Sequence, residues 1–225
     1  MSRSGSRRGG RPPELTAWQD RALGAVVESD IAPELAFGGG AALAAIHLHH
    51  RTSEDLDFFL TRPLDPLEVE QVGRAIATKT TRVDIEVIGP RTSLVLRRAS
   101  GPFGRIDFAY YPFDPIGRRT SWRGLAVESL LDMTVNKVQA ILTREQPRDF
   151  VDLYFLLQEG PERRLDKLLD FARAKFDVGA HPMGLAARLL LVHDVRELPN
   201  MIRRVQIRDL VEFFEEKAQE LVQKK

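Results

Sequence analysis

Cysteine is absent from the 225-residue sequence, and long apolar runs are absent as well. Without cysteine, the chain cannot form a disulfide scaffold, supply a thiol nucleophile or build a zinc or iron–sulfur site on thiolates. No apolar run approaches the ~20 residues that a membrane span needs, so we expect no membrane partner. The N-terminal arginines are not followed by the apolar core of a secretory signal, which predicts a cytoplasmic protein.

Acidic residues are missing from residues 1–13, which carry four arginines, whereas the rest of the chain is slightly acidic. Apart from Met1, this segment has no apolar side chain beyond its prolines, so it cannot bury enough surface to offset the entropy of ordering. We therefore predict a disordered basic tail at residues 1–13. Such a tail could contact nucleic acid phosphates, or it could be a simple solubilising extension.

The rest of the chain combines strand and helix patterns. Short apolar runs bounded by glycine and proline predict strands, and apolar residues at helical spacing predict helices. Strands are predicted at residues 35–37, 54–60, 82–88, 93–98 and 105–111, the last three as an antiparallel meander, and helices at residues 14–29, directly after Gly40, 65–79 and 128–143. This predicts an α+β fold, with a mixed-sheet lobe flanked by helices at residues 14–120 and a helical lobe at residues 121–225.

Two aspartates occupy alternate positions in the predicted strand at residues 54–60. Because side chains alternate along a strand, Asp55 and Asp57 share one face. Adjacent carboxylates repel each other unless a cation lies between them, and Mg²⁺ commonly binds one or two carboxylates together with substrate phosphates. The pair is therefore a candidate Mg²⁺ site, and the alternative is a solvated strand face with two ordinary acids.

A third carboxylate is needed to complete such a site. Asp107 lies in another predicted strand, where Ile106 and Phe108 flank it in a buried-strand pattern. Asp84 and Glu86 compete for the same place. We favour Asp107, because a buried strand next to the aspartate pair would bring its carboxylate into the site.

The glycines at residues 38–40 lie between a predicted strand and a helix start. Glycine lets the backbone approach a ligand closely, and a helix start offers free N–H groups to phosphates. A tight turn that needs positive φ would use glycine as well. Together with three carboxylates and bound metal, a phosphate-binding turn supplies the groups that nucleotidyl transfer requires.

Histidines and aromatic residues offer weaker candidates. His47, His49 and His50 lack the spacing of a zinc motif, and we expect His50 with Arg51 to brace the turn into the aspartate strand. Four aromatic residues could stack nucleobases, although strand core is the commoner role: Phe103, Phe108, Tyr110 and Tyr111.

Two blocks of the sequence resemble the AbiEii-type nucleotidyltransferase toxins. Residues 39–43 (GGAAL) and 50–59 (HRTSEDLDFF) are similar to that family's Gly-Gly-Thr-x-Leu turn and His-Arg-x-Ser-x-Asp-Leu-Asp-Phe-Phe pattern. In the second block, Lys137 and residues 148–153 (RDFVDL) match its Lys and Arg-Asp-x-x-Asp-Leu pattern. The blocks occur in the family's order, and the departure is Ala41, where a hydroxyl residue is usual.

The resemblance implies a DNA polymerase β-like nucleotidyltransferase fold and a Mg²⁺-dependent transfer of a nucleotide from an NTP. It adds active-site residues that the patterns alone leave open. Lys137 could otherwise be a lysine that reaches past apolar neighbours to solvent, and Arg148 with Asp152 a helix-surface ion pair. Together, the strand patterns and the resemblance give five catalytic residues: Asp55, Asp57, Asp107, Lys137 and Asp152. The metal ligands among them are Asp55, Asp57 and Asp107. The implied nucleotide-binding residues are Gly39, Gly40, Ser53, Lys137 and Arg148.

The resemblance also implies a place in a toxin–antitoxin pair, with an antitoxin encoded nearby. The acceptor of the nucleotide stays open among an RNA, such as the 3′ end of a tRNA, a protein hydroxyl and a small molecule. The alternative function is a non-catalytic module that binds a nucleotide, a nucleic acid or a partner protein on the same fold. Ala41 and the basic tail favour that alternative, and the clustered acids favour the enzyme.

Overall fold

Seven strands form one sheet in the computed structural model, which describes residues 11–223. Residues 1–10, most of the predicted disordered tail, lie outside the described residues. The strands are β1 (Ala36–Gly38), β2 (Asp55–Leu60), β3 (Arg82–Ile88), β4 (Arg91–Arg98), β5 (Gly101–Tyr110), β6 (Thr120–Trp122) and β7 (Leu125–Val127). Their order across the sheet is β3-β4-β5-β2-β1-β7-β6, so the aspartate pair lies on the middle strand.

Eight α-helices are present in the described part of the chain, and five of them follow the sheet. They are α1 (Ala17–Val27), α2 (Gly39–Ala42), α3 (Glu70–Ile76), α4 (Leu130–Thr143), α5 (Pro147–Glu159), α6 (Leu165–Phe176), α7 (Pro182–Leu189) and α8 (Ile207–Gln223). A π-helical segment, Leu43–Leu48, continues α2. The predicted α+β fold with a helical C-terminal region is confirmed. None of the described helices has both the length and the apolar character needed to cross a membrane.

Side chains in the first turn of α1 stabilise the helix and also hold the loop before β2. Thr16 caps the helix and forms a reciprocal capping box with Gln19, which satisfies backbone N–H groups that the first turn leaves free. The amide of Gln19 also donates a hydrogen bond of 2.7 Å to the carbonyl oxygen of Ser53. The capping chemistry of α1 therefore holds the loop that leads into β2.

The register of the central strands separates a buried face from a polar face. On the buried face, Leu56 pairs with Ile106 and Phe58 with Phe108, and Phe58 also lies opposite Phe37 of β1. These five side chains are at most 1% exposed. Because alternate residues point to opposite faces, the acids of β2 and β5 are all on the other side.

The meander of β3, β4 and β5 is antiparallel, as the spacing predicts, and β5 then runs parallel to β2. The structure differs from the prediction at residues 65–79. A 3₁₀ turn at Pro66–Val69 precedes the shorter helix α3, and Asp65 caps that turn through a hydrogen bond from Leu67 N–H.

The sheet continues beyond residue 120. β7 pairs in parallel with β1, and β6 pairs with β7, so residues 120–127 add two short strands to the edge next to the glycine turn. From residue 130 onwards the described elements are helical. The helical lobe predicted at residues 121–225 thus includes a short segment that completes the sheet.

Candidate active site

The parallel pairing of β2 with β5 brings three aspartates together on the polar face. Asp57 lies directly opposite Asp107, and Asp55 lies opposite Arg105. Asp107 is in turn opposite Ser93 of β4. The three carboxylates line one cavity of about 250 Å³ at the middle of the sheet.

The two competing acids are elsewhere and have partners of their own. Asp84 forms ion pairs with Arg82 at 2.6 Å and with Arg97 at 2.8 Å. Glu86 forms ion pairs with Arg97 at 3.1 Å and with Arg105 at 3.6 Å. Both acids are on β3, two strands away from β5 and three away from β2, and neither lines the cavity.

The aspartate pair, by contrast, has no direct partner in the described part of the chain. Neither Asp55 nor Asp57 has a side-chain hydrogen bond or ion pair with another described residue. Burial, together with the charges of Asp107 and Asp55, raises the pKa of Asp57 to about 6. Burial and the charge of Asp107 also raise the pKa of Asp55. The site therefore holds ionised carboxylates that a cation would stabilise.

Asp107 is held in one orientation from β4. The hydroxyl of Ser93 donates a hydrogen bond of 2.6 Å to Oδ1 of Asp107, and Arg91 donates a longer one of 3.4 Å to Oδ2. Ser93 is completely buried. The hydrogen bond from Ser93 fixes Oδ1 of Asp107, and Oδ2 lies near Arg91.

Glycine is required at the turn between β1 and α2. Gly39 has a φ of +63°, and a Cβ atom at this position would overlap the carboxylate of Asp57. At Gly40 a Cβ atom would lie 2.7 Å from Arg51 and 3.0 Å from the hydroxyl of Ser53. The two glycines therefore let the backbone lie directly against Asp57 and the loop before β2.

Lys137 of α4 is a buried cation at the cavity. Its Nζ lies 2.7 Å from Oδ1 of Asp149 and 2.7 Å from Oδ2 of Asp152, both on α5. Only 8% of the residue is exposed, so it does not extend to bulk solvent. Arg144 also pairs with Asp149, at 2.7 Å.

Asp152 lies behind Lys137, with no exposed surface. Its carboxylate accepts hydrogen bonds from Nε and Nη2 of Arg51, at 2.6 and 2.8 Å, and lies 2.7 Å from Nε2 of His50. Burial favours the protonated form, but Lys137 and Arg51 hold the pKa of Asp152 well below its usual value. Burial lowers the pKa of His50, so the neutral ring donates its Nε2–H to Asp152.

Cationic side chains outnumber acids in the lining of the cavity. The described residues that line it include three carboxylates and six cationic side chains, and three of these cations are paired with Asp149 or Asp152 outside the lining. The cationic residues are Arg51, Arg91, Arg105, Lys137, Arg144 and Arg148. Arg148 is exposed and has no ion pair with a described residue, so it can neutralise a bound anion.

A family model described as "Nucleotidyl transferase AbiEii toxin, Type IV TA system" matches residues 21–224. The chain belongs to this family. It is accordingly a nucleotidyltransferase toxin of a type IV toxin–antitoxin system, and the resemblance inferred from the two sequence blocks is confirmed.

Individual relatives of this AbiEii-family protein match more than nine-tenths of the chain. The uncharacterized protein aq_aa25 of Aquifex aeolicus is 27% identical over 212 residues, which cover 93% of this chain and 98% of that protein. JHP933 of Helicobacter pylori has a similar structure, with a TM-score of 0.56 at 18% identity, covering 92% of this chain and 93% of that one. The nucleotidyltransferase toxin MenT4 of Mycobacterium tuberculosis gives a TM-score of 0.56 at 16% identity, covering 94% and 91%. These two structures share the fold of this chain.

The donor set of the AbiEii-family site suits a divalent metal that binds together with substrate. Among the described residues, no group of three or more acids and histidines is close enough to hold an ion by itself. Asp55 and Asp57 nevertheless offer carboxylate oxygens without partners, and Mg²⁺ typically completes its six ligands with substrate phosphates and water. The residues therefore fit a metal that the NTP helps to bind.

The ion pairs that support the site were not predicted from the sequence. Asp149 pairs with Lys137. Asp152 pairs with Arg51, which is more than 100 residues away in the sequence. The possible surface ion pair between Arg148 and Asp152 is absent, because Asp152 is buried against Arg51. The adjacent His-Arg in the first block and the Asp-x-x-Asp spacing in the second were the available signals for this network.

The remaining candidates have other surroundings. His49 pairs with Glu14 and His50 with Asp152, so the histidines do not share a partner. Phe108 is core, stacked on Phe58. Ala41, the departure from the family pattern, is completely buried and is not among the residues that line the cavity.

Proposed function

We propose that the protein transfers a nucleotide from a Mg²⁺-bound NTP to an acceptor hydroxyl at the cavity of Asp55, Asp57 and Asp107. The observation that carries the proposal is the contrast within one cavity. Two partnerless carboxylates lie on one wall, and an excess of cations surrounds them. Carboxylates are ligands for Mg²⁺, and cationic side chains bind phosphates, so the cavity offers partners for both the metal and the triphosphate of the substrate complex.

In this mechanism Asp55 and Asp57 would hold the metal, which supplies charge stabilisation at the phosphate that reacts. The acceptor oxygen bonds to the α-phosphorus, the bond from that phosphorus to the bridging oxygen breaks, and pyrophosphate leaves. Asp107, oriented by Ser93, is placed to accept the proton of the acceptor hydroxyl.

The triphosphate would lie between the glycine turn and the helices. Gly40 and Ser53 line the cavity, and Gly39 lets the turn lie directly against the carboxylate of Asp57. Lys137 and Arg148 provide charge from α4 and α5. Asp152 touches no part of the cavity, so we assign it the role of a positioning residue that fixes Lys137 and Arg51.

The acceptor and the antitoxin partner belong to the proposal as well. An RNA, such as the 3′ end of a tRNA, fits the arginines beside Asp107, because phosphates of an RNA chain would meet Arg91 and Arg105. Protein and small-molecule hydroxyls are the competing acceptors. The protein would act in the cytoplasm, where NTPs are available, and an antitoxin encoded nearby would restrain it.

Transfer of label from α-labelled NTPs tests the function. The purified protein is incubated with each of the four NTPs and with total RNA, total protein or an aminoglycoside, with Mg²⁺ or with EDTA. Mg²⁺-dependent labelling of one acceptor class supports the proposal and identifies the acceptor. Labelling that persists in EDTA, or calorimetry that shows no Mg²⁺-dependent binding of any NTP at millimolar concentration, would refute it.

Replacing Lys137 with alanine should weaken NTP binding. A lost charge-assisted hydrogen bond to phosphate costs about 1.5–3 kcal/mol, or roughly 10- to 150-fold in affinity. Asp149 and Asp152 keep Arg144 and Arg51 as partners, so the variant should fold. Calorimetry with Mg²⁺-NTP measures the effect.

Lys175→Ala is the matched control for this measurement. Lys175 is also a buried lysine, 2.7 Å from Asp132, but it lies outside the cavity. Its removal should leave NTP affinity unchanged. If both variants bind NTP equally well, Lys137 has no contact with phosphate.

Ser93→Ala should slow the reaction without changing NTP affinity. Without the hydroxyl, Asp107 loses its 2.6 Å hydrogen bond and its fixed orientation, and loss of such a supporting contact typically costs about 10- to 100-fold. Thr92→Val, on the other face of β4, is the control. A change in KM for NTP with unchanged kcat would mean that Ser93 acts on the donor instead.

A further inference from the structure

A second cavity adjoins the catalytic one. It has a volume of about 530 Å³, and three residues line both cavities: Ser53, Asp55 and Arg105. A ligand with its phosphates at Asp55 can therefore extend into the second cavity without leaving the protein surface. The proposed function leaves this second cavity without a role.

None of the described residues that line the catalytic cavity is aromatic. The second cavity has an aromatic wall. Phe103, half-buried, meets Trp18 edge-on with ring centroids 6.3 Å apart. Arg98 does not line this cavity and covers one face of the Phe103 ring, with its guanidinium carbon 4.1 Å from the ring centroid, so a base would stack on the other face. Aromatic rings and arginine planes are the surfaces on which proteins stack bases.

This wall is fixed before any ligand arrives. Trp18 lies directly on Gly104, where a Cβ atom would be only 2.7 Å from its indole ring. The indole is thus locked between α1 and β5, and it holds Phe103 at an angle of 89°. A preformed surface loses little entropy on binding, which favours affinity for a flat ligand.

Polar groups with free hydrogen-bonding capacity face the same cavity. The side chains of Glu54 and Asn200 have no hydrogen-bond partner among the described residues, and both line the cavity. The backbone around them is fixed, because Thr52 N–H donates a hydrogen bond of 2.9 Å to the carbonyl oxygen of Asn200. A carboxylate and an amide side chain are groups that pair with the edges of bases.

We propose that this second cavity is the nucleoside subsite of the enzyme, with Phe103 as the stacking surface and Asn200 and Glu54 as the groups that contact the base edge. The inference rests on the proposed function, since it takes the phosphates of the same nucleotide to be at Asp55 and Asp57. The nucleoside belongs either to the donor NTP or to the terminal nucleotide of an RNA acceptor, and the experiment below separates the two sources.

Fluorescence of Trp18 gives a readout that does not depend on catalysis. The chain has two tryptophans, so Trp122→Phe leaves Trp18 as the single indole emitter. This protein is titrated with the four Mg²⁺-NTPs, the four nucleosides, inorganic tripolyphosphate and a short single-stranded RNA. We expect nucleosides and either the NTPs or the RNA to quench Trp18, and tripolyphosphate to leave it unchanged.

Phe103→Ala in the same background should weaken the nucleoside-containing ligand about tenfold, since a stacked base contributes this much or more to affinity. Phe103→Leu keeps a large apolar side chain but removes the ring, so it should show the same loss. It replaces the alanine variant if that variant fails to fold. Asn200→Ala should change the order of preference among the four bases. Phe213→Ala on α8, in a separate aromatic cluster with Tyr154, is the control and should change nothing.

The outcomes separate the two sources and the two proposals. Loss of NTP affinity assigns the subsite to the donor, whereas loss of RNA affinity with NTP binding retained assigns it to the acceptor. If Phe103→Ala and Phe103→Leu bind NTP, nucleosides and RNA like the parent protein, or if no ligand quenches Trp18, the subsite is overturned. A protein that binds nucleosides here but transfers no nucleotide would refute the proposed function and leave the subsite standing.

Discussion

Asp57→Asn should abolish nucleotide transfer and, in the absence of metal, make the protein more stable. The amide has the shape of the carboxylate but carries no charge for the metal. Loss of metal-dependent charge stabilisation is worth about 4 kcal/mol or more, which is roughly a thousandfold in rate. Label transfer from α-labelled NTPs measures this loss.

The gain in stability follows from the raised pKa of Asp57. The folded-state value is about 6 against an ordinary 3.8, so ionisation of Asp57 is opposed by burial and by the other two aspartates. Wild-type stability should therefore fall as the pH rises from about 4 to about 6, and stay lower above that. A shift of about two pH units corresponds to about 3 kcal/mol, and the asparagine variant avoids this loss.

Thermal unfolding in EDTA across this pH range tests the second half of the prediction. The melting temperature of Asp57→Asn should exceed that of the wild type at pH 7, and the difference should vanish below pH 4. Mg²⁺ should raise the melting temperature of the wild type more than that of the variant. Asp84→Asn is the matched control, because Asp84 is on the same sheet but is neutralised by Arg82 and Arg97. A fully active Asp57→Asn enzyme would exclude Asp57 as a metal ligand.

The acids of the candidate site could be predicted from sequence because their geometry is local. Alternation along a single strand places Asp55 and Asp57 on one face whatever the rest of the fold does. Asp107 needed one further assumption, that its strand lies beside β2. The structure shows that pairing, with Asp57 opposite Asp107. The competing acid Glu86 has the same alternation but a different position in the sheet.

The ion pairs that hold Arg51 and Lys137 in place could not be predicted, because they join residues from different parts of the fold. Arg51 and Asp152 are 101 residues apart, and no local pattern links them. From the helical spacing alone, Asp152 could be a surface partner for Arg148, and only the family resemblance implied a role for it in the active site. The two-strand extension at residues 120–127 was missed for a related reason. β6 and β7 have three residues each, too few to show an alternation, and β7 is held by its pairing with β1.

Asp152→Ala should be the most destabilising single change in the site. Arg51 would lose the carboxylate to which it donates two hydrogen bonds, and Lys137 would lose one of its two carboxylate partners. Both cations are buried. Removing one member of a buried ion network typically costs about 3–5 kcal/mol, because the remaining charge cannot be solvated. Urea unfolding at pH 7 should show this loss as a lower midpoint.

Glu159→Ala on the same helix is the matched control. Glu159 also pairs with an arginine, Arg203, but both side chains are about 40% exposed. An exposed pair contributes about 0–1 kcal/mol, so this variant should unfold close to the wild type. The comparison separates loss of a buried network from loss of any ion pair on α5.

The pH dependence distinguishes a charge effect from a packing effect at Asp152. Because the pKa of Asp152 is held well below its usual value of 3.8, its contribution to stability is complete above pH 4 and is lost as the pH falls toward the folded-state pKa. Asp152→Asn retains the volume but not the charge. Its stability deficit should be full at pH 7 and shrink below pH 4, whereas a deficit independent of pH would mean that the carboxylate acts only by filling space. In the first case Lys137 and Arg51 need the charge of Asp152 to stay buried beside the cavity, which is how a residue that never touches substrate can determine whether the enzyme binds it.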